Sequence, residues 1–241
     1  MSSPNNPTRP FDLILFDLDG TLIETAPEIC DAVNDTLQGL ELPEVELGRV
    51  CNWIGHGTRE LLVQALAHAG NIGADAVRAG PGFAAAKDRF DRHYQQRCGT
   101  RSHLYPHVRE VLQALRLAGV KLAVVTNKEQ RYTRIVLDAH QLAPLFDRVI
   151  SGDSFPVKKP DPVGVLSCLE QFQIPASRAL FVGDSSIDVA TARAAGVTVW
   201  ALPYGYNMGL PIAACGADRV IQDFSALMSL AAQTGAVMQT V

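Results

Sequence analysis

Residues 11–21 read Phe-Asp-Leu-Ile-Leu-Phe-Asp-Leu-Asp-Gly-Thr, an apolar run of strand length that breaks into two carboxylates, Asp17 and Asp19, and then a Gly20-Thr21 turn. A nearly continuous hydrophobic run is what a strand buried on both faces looks like. Open α/β sheets bind their ligands just outside the carboxyl ends of such strands. Asp17 and Asp19 therefore fall where a doubly wound protein keeps its active site. Two neighbouring anions repel each other and attract a hard divalent cation. Gly20 frees the backbone for a sharp exit, and Thr21 brings a hydroxyl close to whatever the cation holds. Asp and Gly are also ordinary turn residues, so the stretch takes its meaning from the rest of the chain.

From residue 26 to about 100 the periodicity predicts helices and no strand. They cover residues 26–37 (Ile29, Val33 and Leu37 on one face, Thr25 to Pro27 as cap and first turn), 58–69 and 83–97. After residue 104 the rhythm changes to alternation. Helices are expected at 108–117, 129–139, 162–172 and 188–195, and strands at 120–125, 148–150, 179–182, 197–200 and 219–221. Such alternation implies an α/β fold, a doubly wound parallel sheet with right-handed crossovers. The expected organisation is a disordered leader at 1–10, a core formed by 11–25 and 101–241, and a helical cap at 26–100. Inserted directly after the carboxylate pair, the cap would sit above the site, exclude water and select the substrate.

Composition removes several classes of function. The 241 residues are 47% hydrophobic and 19% charged, as in a globular rather than a disordered protein. A net charge of −4 with no Lys/Arg block gives no footprint for nucleic acid. No apolar run is long enough to span a membrane, and the three-proline leader has no hydrophobic stretch of a signal or anchor. Cys30, Cys51, Cys98, Cys168 and Cys215 are scattered without CxxC spacing, which reads as free thiols in a reducing cytoplasm. No feature fixes an oligomeric state.

The later strands end in polar groups. Residues 120–125 run into Thr126-Asn127, donors suited to phosphate oxygens, although a capped helix start would look the same. Lys158-Lys159-Pro160 places a lysine beside a proline-stiffened turn, a well-held point charge for a phosphoryl group or an ordinary basic turn. Gly183-Asp184-Ser185-Ser186-Ile187-Asp188 puts Asp184 at a strand end and Asp188 one turn into a helix that Ser185 or Ser186 would cap. A parallel sheet gathers these termini at one edge. Two aspartate groups, a lysine and a Thr/Asn pair around Mg²⁺ and a dianion are the parts that phosphoryl transfer needs.

In order and spacing, Asp17-x-Asp19-Gly20-Thr21, Thr126, Lys159-Pro160 and Gly183-Asp184-Ser185-x-x-Asp188 resemble the motifs of the haloacid dehalogenase superfamily of phosphohydrolases. The resemblance covers essentially the whole chain beyond the leader. It implies Asp17 as nucleophile, forming an aspartyl-phosphate, and Asp19 as general acid and then base. It also implies Mg²⁺ held by Asp17, the Asp19 backbone carbonyl and Asp184, with Asp188 supporting that shell or anchoring the lysine. Thr126 and Lys159 would hold the phosphoryl oxygens, assisted by Asn127, and Lys159 rather than Lys158 directly precedes the proline. A second aspartate at 19 resembles phosphatases and mutases rather than dehalogenases.

The helical insertion resembles the small cap of the group containing phosphoglycolate phosphatases and β-phosphoglucomutase. Within it, Trp53-Ile54-Gly55-His56-Gly57-Thr58-Arg59 resembles the loop that reaches the substrate, with Gly55 and Gly57 allowing close approach, a carboxylate seated at the helix N-terminus at Thr58, and His56 or Arg59 helping to neutralise it. The implied substrate is a small phosphorylated metabolite, foremost 2-phosphoglycolate. Mutase-like transfer to a sugar, a pyrophosphatase or another small-phosphate phosphatase are the alternatives. Phosphonatase chemistry is disfavoured because the cap's one lysine, Lys87, lies outside the loop. A non-catalytic scaffold would have lost a carboxylate, and none is missing. His103 and His107 read as hinge or surface residues, Trp200 as core, and Asp153 as either a turn residue or a contact to the site.

Overall fold

A computed structural model describes residues 10–232, so all of the expected leader but Pro10 lies outside the described residues. Strand β1 (Leu13–Phe16) leads into the short β2 (Ile23–Glu24). Five helices follow: α1 (Ala26–Gln38), α2 (Leu47–Cys51), α3 (Thr58–Ala69), α4 (Ala74–Ala79) and α5 (Phe83–Arg97). The chain returns through β3 (His103–Leu104) and then alternates through α6 (Val108–Leu117), β4 (Lys121–Val125), α7 (Gln130–Ala139) and β5 (Arg148–Ile150). It continues through α8 (Val163–Phe172), β6 (Ala179–Gly183), α9 (Ser186–Ala194), β7 (Thr198–Ala201), β8 (Arg219–Val220) and α10 (Met228–Ala232).

Six strands pair in parallel in the order β5-β4-β1-β6-β7-β8. Counted along the chain within this sheet, that is the doubly wound order with the first strand central. Leu15 pairs with Ala123 on one side and Phe181 on the other. All four residues of β1 are buried, which explains its unbroken hydrophobic run. Its alternate side chains serve two cores. Ile14 and Phe16 join Leu122, Val124, Leu180 and Val182 with α6 and α7, and the same cluster continues into α1, α3 and α5. Leu13 and Leu15 join Ala123, Val125 and Phe181 against α8 and α9. Beyond β1 the chain builds outward on the β4 side and then crosses to the β6 side. The crevice at the end of β1 is thus the topological switch point.

The helices follow their apolar spacing. In α6, Val108, Val111, Leu112 and Leu115 are all buried. The expected helix at 188–195 begins earlier, at Ser186, because Ser185 is its N-cap and forms a reciprocal capping box with Asp188. α2 and α4 were absent from the sequence expectation, being too short for a helical period to register. The strand-free expectation for 26–100 is met, with β2 and β3 pairing antiparallel just outside that segment. They are the two crossings between sheet and helices, and His103 lies in the second. The five cysteines are free thiols. Among the described residues no helix is long and apolar enough to cross a membrane.

Candidate active site

The end of β1 is fixed by the Asp17 amide donating to Val182 O at 3.0 Å, after which Gly20, at φ 85°, donates its own amide to Ile23 O at 2.9 Å. The positive φ suits glycine, and a Cβ there would also strike the Asp184 carboxylate. Thr21 Oγ1 donates to Asp184 Oδ1 at 2.5 Å, and the Tyr206 amide donates to Asp184 Oδ2 at 2.5 Å. Gly205 matters for the same reason as Gly20, since a side chain there would overlap Asp184. The sequence reading missed the 205–206 loop, which has no chemical motif of its own.

Lys159 bridges the two ends of the site. Its Nζ donates to Asp188 Oδ1 at 2.7 Å and lies 2.9 Å from Asp17 Oδ1. The second contact is an ion pair without hydrogen-bond alignment, so Asp17 Oδ1 is buried with no directed hydrogen bond. Asp188 spends its other oxygen on Ser185, accepting from Ser185 Oγ at 2.7 Å and from the Ser185 amide at 3.1 Å. Both supporting roles expected for Asp188 have contacts behind them: it anchors the lysine, and it accepts from the Asp184 amide at 3.2 Å within the acidic cluster. Lys158 instead lies 3.6 Å from Glu129 Oε1. Asn127 frames Lys159 from both sides: its Oδ1 accepts from the Lys159 amide at 2.9 Å, and its Nδ2 donates to Lys159 O at 3.0 Å and Gly55 O at 2.8 Å. These bonds use both amide protons, so this geometry makes Asn127 a brace rather than a free phosphate donor.

Asp19 faces another way. It accepts from Thr25 Oγ1 at 2.7 Å and from Lys128 Nζ, which lies 2.9 Å from Oδ1 and 3.1 Å from Oδ2. Lys128 also donates to Tyr94 OH, from α5, and sits 5.0 Å from that ring. Lys128 was not among the expected site residues, although a lysine directly after Thr126-Asn127 at a strand end was a visible signal.

Burial, reinforced by Asp188 and Asp19 and opposed by Lys159, pushes the Asp17 carboxyl up to about 6. Burial and then the neighbouring Asp188 and Asp17 raise Asp184 as well. Burial pulls Lys159 and Lys128 toward neutrality, but their carboxylate partners outweigh it and hold both ammoniums above the ordinary lysine value. Oxygens of Asp17, Asp184 and Asp188 lie within 4.8 Å of one another. The site thus sets four carboxylates, Asp17, Asp19, Asp184 and Asp188, against two ammoniums. The excess charge and the hard oxygen donors, with Asp17 Oδ1 held only by its ion pair to Lys159, fit a divalent cation such as Mg²⁺. The Asp19 side chain stands outside this cluster, engaged with Lys128.

The cavity is small, about 40 Å³, and is lined by Asp17, Asp19, Thr126, Asn127, Lys128, Asp184 and Ser185 from the core side. Gly55, Gly57 and Thr58 close it from the helical side. Thr126 Oγ1 accepts from the Lys128 amide at 3.2 Å, which leaves its hydroxyl proton available. Thr58 Oγ1 donates to Glu129 Oε1 at 2.7 Å, so the 54–58 loop is tied to the core at two points. His56 and Arg59 are not brought into the lining. His56 is exposed, and Arg59 lies over the Phe83 ring at 4.7 Å, because successive residues of this loop and helix start point to different faces. Asp153 instead accepts from the Gln130 amide at 2.8 Å, at the start of α7.

The chain matches the haloacid dehalogenase-like hydrolase family over residues 14–202. It is 39% identical over 223 residues to the phosphoglycolate phosphatase of Vibrio parahaemolyticus, covering 91% of this chain and 96% of the relative. It is 42% identical over 217 residues to that of Pseudomonas savastanoi pv. phaseolicola, covering 90% and 78% respectively. The crystal structure of a predicted phosphoglycolate phosphatase from Haemophilus somnus 129pt superposes with a TM-score of 0.85 at 35% identity, covering 92% of this chain and 98% of that one.

Proposed function

The chain belongs to the haloacid dehalogenase-like hydrolase family, and within it we propose that it is a Mg²⁺-dependent phosphomonoesterase converting 2-phosphoglycolate to glycolate and phosphate. The observation that carries the chemistry is Asp17, a buried carboxylate with one oxygen free of directed hydrogen bonds, 2.9 Å from the Lys159 ammonium. The substrate assignment rests on relatives named phosphoglycolate phosphatase over nine-tenths of the chain.

Asp17 and Asp184, with the Asp19 backbone carbonyl, would hold Mg²⁺, while Asp188 keeps both oxygens on Lys159 and Ser185. Bound there, the cation would neutralise charge on the transferring phosphoryl group. Lys159 and the Thr126 hydroxyl orient the phosphoryl oxygens, and Asn127 holds Lys159 in place. An Asp17 oxygen attacks phosphorus as the ester P–O bond breaks. Asp19 gives its proton to the departing alkoxide. Asp19 then takes a proton from water as that water attacks the aspartyl-phosphate, releasing phosphate and restoring Asp17. The 26–100 segment acts as a cap, its 54–58 loop excluding bulk water.

The test is a kcat/KM panel of 2-phosphoglycolate, β-glucose 1-phosphate, pyrophosphate and other small phosphate esters, each with Mg²⁺ or EDTA. A preference for 2-phosphoglycolate that EDTA abolishes is the expected result. Even turnover across the panel would overturn the substrate, and isomerisation of β-glucose 1-phosphate would overturn hydrolysis as the function.

A further inference from the structure

Lys128 is the cation in the cavity wall to which the chemistry above gives no task. Its side chain is 2% exposed, and its ammonium meets the Asp19 carboxylate and Tyr94 OH. A buried lysine needs a counter-charge, and neutralising Asp19 would by itself account for it. The surroundings ask for more. An ammonium has three N–H groups, and here they meet both Asp19 oxygens and Tyr94 OH, so a second anion would be received by sharing the ammonium in place of the longer Asp19 contact at 3.1 Å. Asp19 is the carboxylate that handles the leaving-group oxygen, so whatever is bonded to that oxygen lies beside Asp19. It therefore also lies beside Lys128 Nζ, 2.9 Å from the same carboxylate. The remaining wall offers Ile29, Ile54 and Leu61, the backbone at Gly55 and Gly57, and Thr58 and Tyr206, whose hydroxyls donate to Glu129 and Glu24, but neither His56 nor Arg59. A negative charge on the leaving group would be stranded against that wall without Lys128.

We propose that Lys128 is a specificity-determining residue whose ammonium receives a carboxylate carried by the leaving group of a small phosphate ester. The assignment rests on the phosphatase reading of the site, with Asp19 facing the leaving group. Tyr94 comes from α5, so the helical insert fixes the position of this cation. The 54–58 loop then needs only to close the cavity, not to supply a charge.

The test compares 2-phosphoglycolate with ethyl phosphate, which keeps the ester oxygen and both carbons but lacks the carboxylate. The wild-type enzyme should favour 2-phosphoglycolate by about 100-fold in kcat/KM, and Lys128→Met should erase about tenfold or more of that preference, mostly through KM. Lys128→Gln, which can still hydrogen-bond Asp19, should lose the same preference and serves if the methionine variant does not fold. Lys128→Arg, which keeps the charge, should retain more of it than either. A wild-type preference that survives intact in Lys128→Gln, with equal losses on both esters, would overturn the proposal alone and leave Lys128 a partner of Asp19. A wild-type enzyme that hydrolyses both esters equally well would overturn it together with the substrate assignment.

Discussion

Asp17 is held in a conflict that suits a nucleophile. Burial and two nearby carboxylates resist its ionisation, while Lys159, anchored by Asp188, supports it. Replacing Asp17 with Asn should cost on the order of 10⁴-fold in kcat. The same change should leave the metal-free protein as stable or more so, since it removes a buried charge from a repelling cluster; parallel activity assays and thermal melts check both halves. Asp17, Asp19 and Asp184 were legible in the sequence because each sits at or just past the end of an apolar strand, Asp188 because it lies one turn into the following helix, and Lys159 because it precedes a proline in a turn. Lys128 was not picked out. A single lysine after a strand looks solvated until the fold sets it against Asp19, 109 positions away. Tyr206 gave even less signal, because its backbone amide is what touches Asp184.

The same loop joins the acidic cluster to the crossing into the helices. Tyr206 OH accepts from the Thr25 amide at 3.1 Å and the Ala26 amide at 2.9 Å, where α1 begins, and donates to Glu24. Tyr206→Phe should therefore destabilise the protein by about 1–3 kcal/mol in urea unfolding, the cost of leaving buried groups unpaired. Gly205→Ala should act on the other side of the loop. Its Cβ would press on the Asp184 carboxylate, so the apparent Kd for Mg²⁺ should rise by about tenfold or more, read from Mg²⁺-dependent melting shifts. Elements with several periods, such as α3 and α5, were legible to the residue, since their apolar spacing repeats through three or more turns. The two-residue β2 and β3 carry no period and emerge only as the crossings of the folded chain.

Across the whole molecule, the buried excess of carboxylates ties folding, protons and metal together. Asp17, raised to about 6, binds a proton more tightly in the folded than in the unfolded chain, and Asp184 is raised too. The folded state therefore holds more protons between about pH 4 and 6, and the metal-free protein should lose stability as pH rises through that window. Mg²⁺ held as proposed would compete with those protons, so the melting-temperature gain it gives should be larger at about pH 8 than at about pH 5. An equal gain at both would contradict the coupling. The measurement that reaches the central claim most directly is a rapid acid quench of the enzyme turning over phosphoryl-labelled 2-phosphoglycolate. The expected result is a protein-bound label, stable to acid and released by hydroxylamine as an acyl phosphate should be, that maps to Asp17 and is missing from Asp17→Asn. Phosphate release without protein-bound label at any time, and undiminished in Asp17→Asn, would contradict it.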